Sequence, residues 1–276
     1  MRHVLTDEEW NQLQRLLPSE KPRRGRPWAS HRLVISAILW LLATGVPWRD
    51  LPEAFGKWKT VFNRFRRWVR EGVWDQLLET FYRMRDQQGL IDRDQWNVDG
   101  TIIRAHRCAA GAPQGDPLEP EDHALGYSQG GFGTKLHFVV ENQQTPLNVT
   151  ATPGQTHEST QFETVLETVP LTEGKTRRWP KCVAGDKGYS GGNNRAWLKR
   201  RGIEDVIASK TNEERDPDFD KTKYRRRNVV ERAKVAQVLQ NPLQWNGQVF
   251  ICCFAPARRL IRWSYHTQRA RTHEPF

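Results

Sequence analysis

Along the amino-terminal part of the chain, apolar residues recur at helical spacing. Trp10, Leu13, Leu16 and Leu17 follow Thr6-Asp7-Glu8-Glu9, which has capping-box form, and Pro18 ends the run. Ser30 can cap a second helix through Leu33, Ala37, Ile38, Trp40 and Leu41, with Gly45 as its terminator. The pattern from Trp58 to Val69 predicts a third helix with Val61, Phe62, Phe65 and Trp68 turned inward. A further helix runs through Trp74, Leu77, Leu78 and Phe81, and the polar residues 83–95 read as a junction.

From residue 96 the period changes. Strand-like runs fall near 96–103, 134–141 and 146–152, then a helix near 158–169, a strand at 181–185, a helix near 192–201 and a strand at 204–209. A helix carrying Glu231 follows. Three strands and then alternating helices and strands predict an α/β fold, an RNase H-like mixed sheet flanked by helices. It is preceded by an all-α, helix-turn-helix-like region. The divisions expected are 1–90 for the helical part, 91–240 for the α/β part and 241–276 for a basic tail. Residues 108–133 and 210–223 read as loops. Gly126, Gly130, Gly131 and Gly133 lie near Tyr127 and Ser128 in a segment able to approach a DNA backbone, but without the order of a nucleotide-binding loop, so no ATP site is assigned.

Charge changes the picture more than length does. The 276 residues carry 43 Lys and Arg against 32 Asp and Glu, a net charge of +11, which favours a polyanion as partner, nucleic acid first and an anionic membrane second. The longest apolar run, Leu33 to Ala43, is about half of the roughly 20 residues a bilayer needs, so it reads as a core helix. The charged start of the chain does not resemble a secretory signal, which makes the cytoplasm the expected location, with association to the nucleoid when DNA is bound. Cys108, Cys182, Cys252 and Cys253 show neither paired nor zinc-type spacing and are expected to be reduced. Most of the 12 tryptophans are expected in the core, some at a DNA surface.

The basic residues fall where DNA contact is plausible physically. Arg24 and Arg26, in Arg24-Gly25-Arg26-Pro27, suit a narrow minor groove, although a solvated basic linker accounts for them equally well. Lys57, Lys59, Arg64, Arg66, Arg67 and Arg70 occupy the rest of the third helix, a candidate recognition helix. The alternative is a helical bundle with a charged outer face.

Three acids stand out. Asp99 sits in the strand-like run Trp96-Asn97-Val98-Asp99-Gly100-Thr101-Ile102-Ile103, where a single charge needs a reason. Asp186 closes the short apolar run ending Val183-Ala184-Gly185-Asp186, at the carboxyl edge where α/β sheets hold ligands. Glu231 shares a helix face with Arg227 and Asn228. Two-metal phosphodiester chemistry needs such clustered carboxylates.

These residues resemble the DDE transposases of small bacterial insertion sequences, a likeness running through most of positions 4 to 234. It is carried by Gly45-Val46-Pro47-Trp48-Arg49-Asp50-Leu51-Pro52, by Val98-Asp99-Gly100-Thr101 with Arg104-Ala105-His106, and by Leu125-Gly126-Tyr127-Ser128-Gln129-Gly130-Gly131. It continues in Thr152-Pro153-Gly154-Gln155-Thr156-His157, Gly185-Asp186-Lys187-Gly188-Tyr189 and Tyr224-Arg225-Arg226-Arg227-Asn228-Val229-Val230-Glu231-Arg232. The resemblance implies that Asp99, Asp186 and Glu231 bind two divalent ions, magnesium being the expected one, and that the amino-terminal helices recognise the element's inverted repeats. It implies double-stranded DNA as partner, both element ends and target, a homo-oligomer on that DNA, and no nucleotide cofactor. Arg227 and Tyr224 take a DNA-positioning role by the same likeness, whereas a core ring is the other account of Tyr224. Structural hydrogen bonding is the stronger reading of His106 and His157.

The likeness departs from the family after Glu231. A lysine is usual seven residues on, where this chain has Val238, with Lys234 only three residues on, and Asn241-Pro242 would interrupt the helix. Two functions therefore stand side by side: a transposase that cleaves and transfers DNA, and a catalytically impaired remnant that only binds it.

Overall fold

The computed structural model describes residues 5, 7–20, 29–44, 46–104, 124–143, 145–173, 176–177, 179–213, 217 and 219–230. They fall into two compact units that divide between Phe81 and Tyr82. Among the described residues no helix is long and apolar enough to cross a membrane.

The first unit is helical. It contains α1 (Asp7–Leu13), extended by a 3-10 turn at Gln14–Leu16, then α2 (His31–Thr44), 3-10 turns at Trp48–Asp50 and Glu53–Phe55, and α3 (Trp58–Arg70). The next helix, α4 (Val73–Gln87), begins in this unit. The core is built by Val34, Ile35, Ala37 and Ile38 of α2, Val61, Phe65 and Trp68 of α3, and Trp74 and Leu77 of α4. Aromatic edges interlock there: Trp48 against Phe62 and Phe65 at 5.2 and 5.4 Å, Phe65 against Trp74 at 6.0 Å, and Trp68 against Trp74 at 5.5 Å. Two of these pairs, Trp48–Phe62 and Trp68–Trp74, are edge-to-face, a geometry that adds about 0.5–1.5 kcal/mol beyond the area buried.

The amphipathic reading of α3 needs one correction. Lys57, Lys59, Arg66 and Arg70 are exposed and Arg67 is half-buried beside Glu71 at 3.7 Å, but Arg64 is buried and Phe62 only half-buried. Arg64 shares the stripe of Val61, Phe65 and Trp68, three and four residues apart, and so faces inward. Its Nη1 donates to His31 Nδ1 at 2.7 Å, and its guanidinium lies 5.5 Å from the Trp68 ring. Because Nδ1 accepts, His31 Nε2 carries the hydrogen and donates to the Pro18 carbonyl at 3.0 Å. Burial, followed by the Arg64 charge, holds the His31 pKa below its ordinary value.

α4 runs to Gln87, through residues expected to form a junction. Arg83, Met84, Arg85 and Asp86 are adequate helix formers without a breaker, and the stop comes at Gly89, whose φ of 67° only glycine adopts freely. Leu90 N then donates to the Arg85 carbonyl at 2.8 Å, closing the helix end.

The second unit is built on a six-stranded mixed sheet. Its strands are β1 (Gln95–Arg104), β2 (Gly126–Ser128), β3 (Gly131–Glu141), β4 (Pro146–Pro153), β7 (Cys182–Gly185) and β8 (Glu204–Ile207); β5 (Thr172–Glu173) and β6 (Thr176–Arg177) pair separately. The order is β2-β3-β1-β7-β8, with β4 also pairing β3. β1 runs antiparallel to β3 and parallel to β7, and β7 is parallel to β8. Helices α5 (Glu158–Glu167) and α6 (Gly192–Arg200) connect the later strands, and α7 (Lys221–Arg226) follows them. This is the expected RNase H-like class. The expected loop 108–133 contains a hairpin at its end, where Gly126 pairs Gly133 and Tyr127 pairs Phe132. Glycine is required by packing there: a Cβ on Gly133 would lie 2.8 Å from the Ile103 carbonyl oxygen, and one on Gly126 would strike Gln155 and Pro153.

Candidate catalytic centre

Strand register brings the first two acids together. Gln95, Trp96 and Asn97 of β1 lie opposite Cys182, Val183 and Ala184 of β7 in parallel. Two residues further along the chain come Asp99, within β1, and Asp186, the residue just after β7, so continuing the register brings both acids to one level. Alternation puts them on the sheet face of Asn97 and Ala184.

The same face carries the basic helix. Asp220 caps α7, accepting from Thr222 N and Lys223 N at 2.8 and 2.9 Å. Lys223 Nζ donates to the Glu204 carboxylate of β8 at 2.6 and 2.7 Å, and Gln95 Nε2 of β1 donates to the Lys223 carbonyl at 3.0 Å. Tyr224 and Phe219 pack on Cys182, Ala184 and Val206, while Val229 and Val230 pack on Leu136, Phe138 and Val140 of β3. The chain from 219 to 230 therefore crosses the sheet from β8 and β7 to β3, passing over the two aspartates.

Arg227 is placed mid-crossing. Its Nη1 donates to Asp99 Oδ2 at 3.0 Å, with the two side chains 17% and 7% exposed. The other oxygen of Asp99 accepts from Gly100 N at 2.8 Å. Asp186 ends β7 and caps the 3-10 turn Lys187–Tyr189, Oδ1 accepting from Gly188 N at 2.8 Å.

A fourth carboxylate was missed in the sequence. Glu158, the first residue of α5, has Lys135 Nζ 3.6 Å from its Oε1. A Cβ on Gly100 would lie 2.7 Å from Glu158 Oε1, and one on Gly188 would lie 2.9 Å from both Glu158 Oε2 and Asp186 Oδ1. The carboxylate thus abuts the residues that follow Asp99 and cap Asp186. Buried Tyr189 reports the convergence: after burial, the charges of Glu158, Asp99 and Asp186 push its hydroxyl well above the ordinary range, and Arg227 opposes them. The only signal in the sequence was an acid at a helix start, a position that helix dipoles alone favour.

The other expected site residues divide. The Tyr224 ring is half-buried against Phe219 at 5.3 Å, so it is packed as well as placed beside Arg227. His157 caps α5 by accepting from Ser159 N at 3.2 Å, in keeping with a structural role. Cys182 is a free, buried thiol pushed up to about 11 by burial. Glu231, Arg24, Arg26, His106, Cys108, Cys252, Cys253, Lys234, Val238 and the tail from 241 lie outside the described residues. Among the described residues no group of three His, Cys, Asp or Glu side chains is close enough to hold a metal ion.

Fold and centre together define a class, an RNase H-like protein with one aspartate on β1 and another just past β7. Family comparison makes it particular. A model described as the transposase DDE domain matches residues 96–239, just over half of the chain, and a model for transposases of the IS4/5 family matches residues 5–78. The chain belongs to the DDE transposases of insertion sequences. Similar proteins include y4sN of Sinorhizobium fredii, 36% identical over 108 residues, covering 39% of this chain and 82% of that protein. A 16.2 kDa protein of insertion element IS402 from Burkholderia cepacia is 39% identical over 108 residues, 37% of this chain and 74% of its own length. Among solved structures, the piggyBac transposase synaptic complex with hairpin DNA aligns with 78% of this chain and 51% of its own, at 14% identity and a TM-score of 0.35.

Proposed function

We propose that this transposase binds the terminal inverted repeats of an insertion sequence and catalyses metal-dependent DNA cleavage and strand transfer. The observation that carries the reading is the pair Asp99 and Asp186, brought level by the register of adjacent strands beneath the helix that leads into Glu231. Carboxylates are the donors that hard divalent cations take, so Asp99, Asp186 and Glu231 would hold two such ions, with magnesium fitting an all-oxygen set. When bound, the ions supply activation of the attacking oxygen and stabilisation of the leaving 3′ oxygen.

The protein's own groups do the rest. The register of β1 and β7 fixes the spacing of the aspartates before any substrate arrives, which removes reorganisation from the reaction. Arg227 neutralises Asp99 in the free protein, and its fork is suited to a DNA phosphate once a cation takes over that carboxylate. Exposed Lys57, Lys59, Arg66 and Arg70 supply phosphate contacts for end binding. Cleavage and joining are both displacements at a phosphodiester, so one centre serves each in turn without a nucleotide cofactor. Two DNA ends must be held together, which motivates a homo-oligomer on DNA.

The test is mobilisation in cells of a marked DNA segment bearing the native flanking ends. Movement with this chain and none with Asp99→Ala is expected. End binding without any movement by the unaltered chain would favour the impaired, binding-only remnant instead.

A further inference from the structure

Glu158 has no part in a three-acid centre, yet its surroundings are those of a working group. Its side chain is 23% exposed and its ion-pair partner Lys135 only 13%, so the pair is screened less than a surface bridge. Each carboxylate oxygen is set against a glycine tied to one aspartate: Oε1 against Gly100, Oε2 against Gly188. A side chain at either glycine would displace the carboxylate.

Beside it lies an unexplained hydroxyl. Tyr189 is 1% exposed, and among the described residues its hydroxyl has no hydrogen-bond partner. Leaving a buried donor unpaired is unfavourable. Here that donor is unpaired although three carboxylates act on it. A buried hydroxyl left without a partner near a carboxylate cluster fits a centre arranged around something further, small and polar.

We propose that Glu158 is a positioning residue of the metal centre, a fourth carboxylate that with the Tyr189 hydroxyl orders the water shell of a divalent cation held by Asp99 and Asp186. This rests on the metal-dependent reading above. Groups that act on a metal through its outer shell are typically worth about 10–100-fold in affinity. The competing account is that Glu158 only offsets the α5 dipole, so that its loss would lower the thermal midpoint and leave cation binding alone.

Mn2+ binding to the full chain, read from the electron paramagnetic resonance signal of the free ion, separates these accounts. Glu158→Gln is expected to weaken Mn2+ binding about 10-fold, with the thermal midpoint nearly unchanged. Tyr189→Phe shifts affinity the same way by less. Lys135→Met, which keeps the carboxylate and removes a competing ammonium, raises affinity, a gain that misfolding does not produce. Unchanged affinity in Glu158→Gln, with binding abolished in Asp99→Asn, would overturn this proposal and leave the aspartate centre standing. A fall in Lys135→Met would also overturn it, and no Mn2+ binding by the unaltered chain would overturn both.

Discussion

The chain has two basic helices, and the structure uses their charges in opposite ways. On α3, Lys57, Lys59, Arg66 and Arg70 are exposed, while the aromatic stripe beneath does the packing. Along α7 and the residues just after it, Lys223 is bonded to Glu204 and Arg227 to Asp99, so charge itself ties the helix to the sheet. Arg64, on the inward stripe of α3, behaves like the second kind. A run of lysines and arginines is therefore not one feature. Those that are exposed lie within reach of a phosphate, and those held in internal pairs fix a fold or a centre.

The largest effect falls on the packing that supports the exposed charges. Trp68 is fully buried and meets His31, Arg64 and Trp74, so Trp68→Ala should cost about 3–5 kcal/mol in urea unfolding and abolish end binding through loss of the helical unit. A loss below 1 kcal/mol would show that the aromatic stripe does not carry α3.

Acid is the next lever, and it acts on the sheet. His137, fully buried in β3 with Nε2 2.9 Å from Thr152 Oγ1, is pushed down from 6.5 to about 4 by burial and then by the Lys135 charge. The folded protein binds this proton less readily than the unfolded chain does. Its stability is complete above pH 6.5, falls as pH drops towards 4, and then levels, a loss of about 3 kcal/mol from this group. Urea midpoints across that window would read it, and His137→Gln should flatten the curve. An unchanged slope in the variant would assign the acid lability elsewhere.

How far the sequence could be read depends on the kind of signal. β1, β3 and β7 were legible because their burial leaves apolar runs, and β4 and β8 because β-branched residues fall between turn signals. The β2–β3 hairpin was not, since close packing demands glycine at 126 and 133, and glycine carries no alternation. Asp99 and Asp186 stood out as charges at apolar strand positions. Glu158 did not, because an acid in the first turn of a helix is ordinary, and only the sheet brings Gly100 and Gly188 against it. Arg64 was placed outward by its charge, although its spacing from Val61 and Trp68 put it inward. The spacing was the better guide.

Among the arginines the smallest effects discriminate best. Arg64→Ala removes a buried hydrogen bond to His31 and should lower stability by about 2 kcal/mol. Arg66→Ala, at an exposed position, should leave the urea midpoint unmoved. In end binding followed against salt, it should reduce the slope of log affinity on log salt by about 0.9, the signature of one lost phosphate contact. Arg227→Met has a third signature. With the guanidinium gone, a cation no longer competes with it for Asp99, so Mn2+ should bind more tightly while strand transfer falls. If Arg66→Ala left the salt slope intact, the exposed face of α3 would be a solvated bundle surface, and the contrast between the two helices would be one of packing alone.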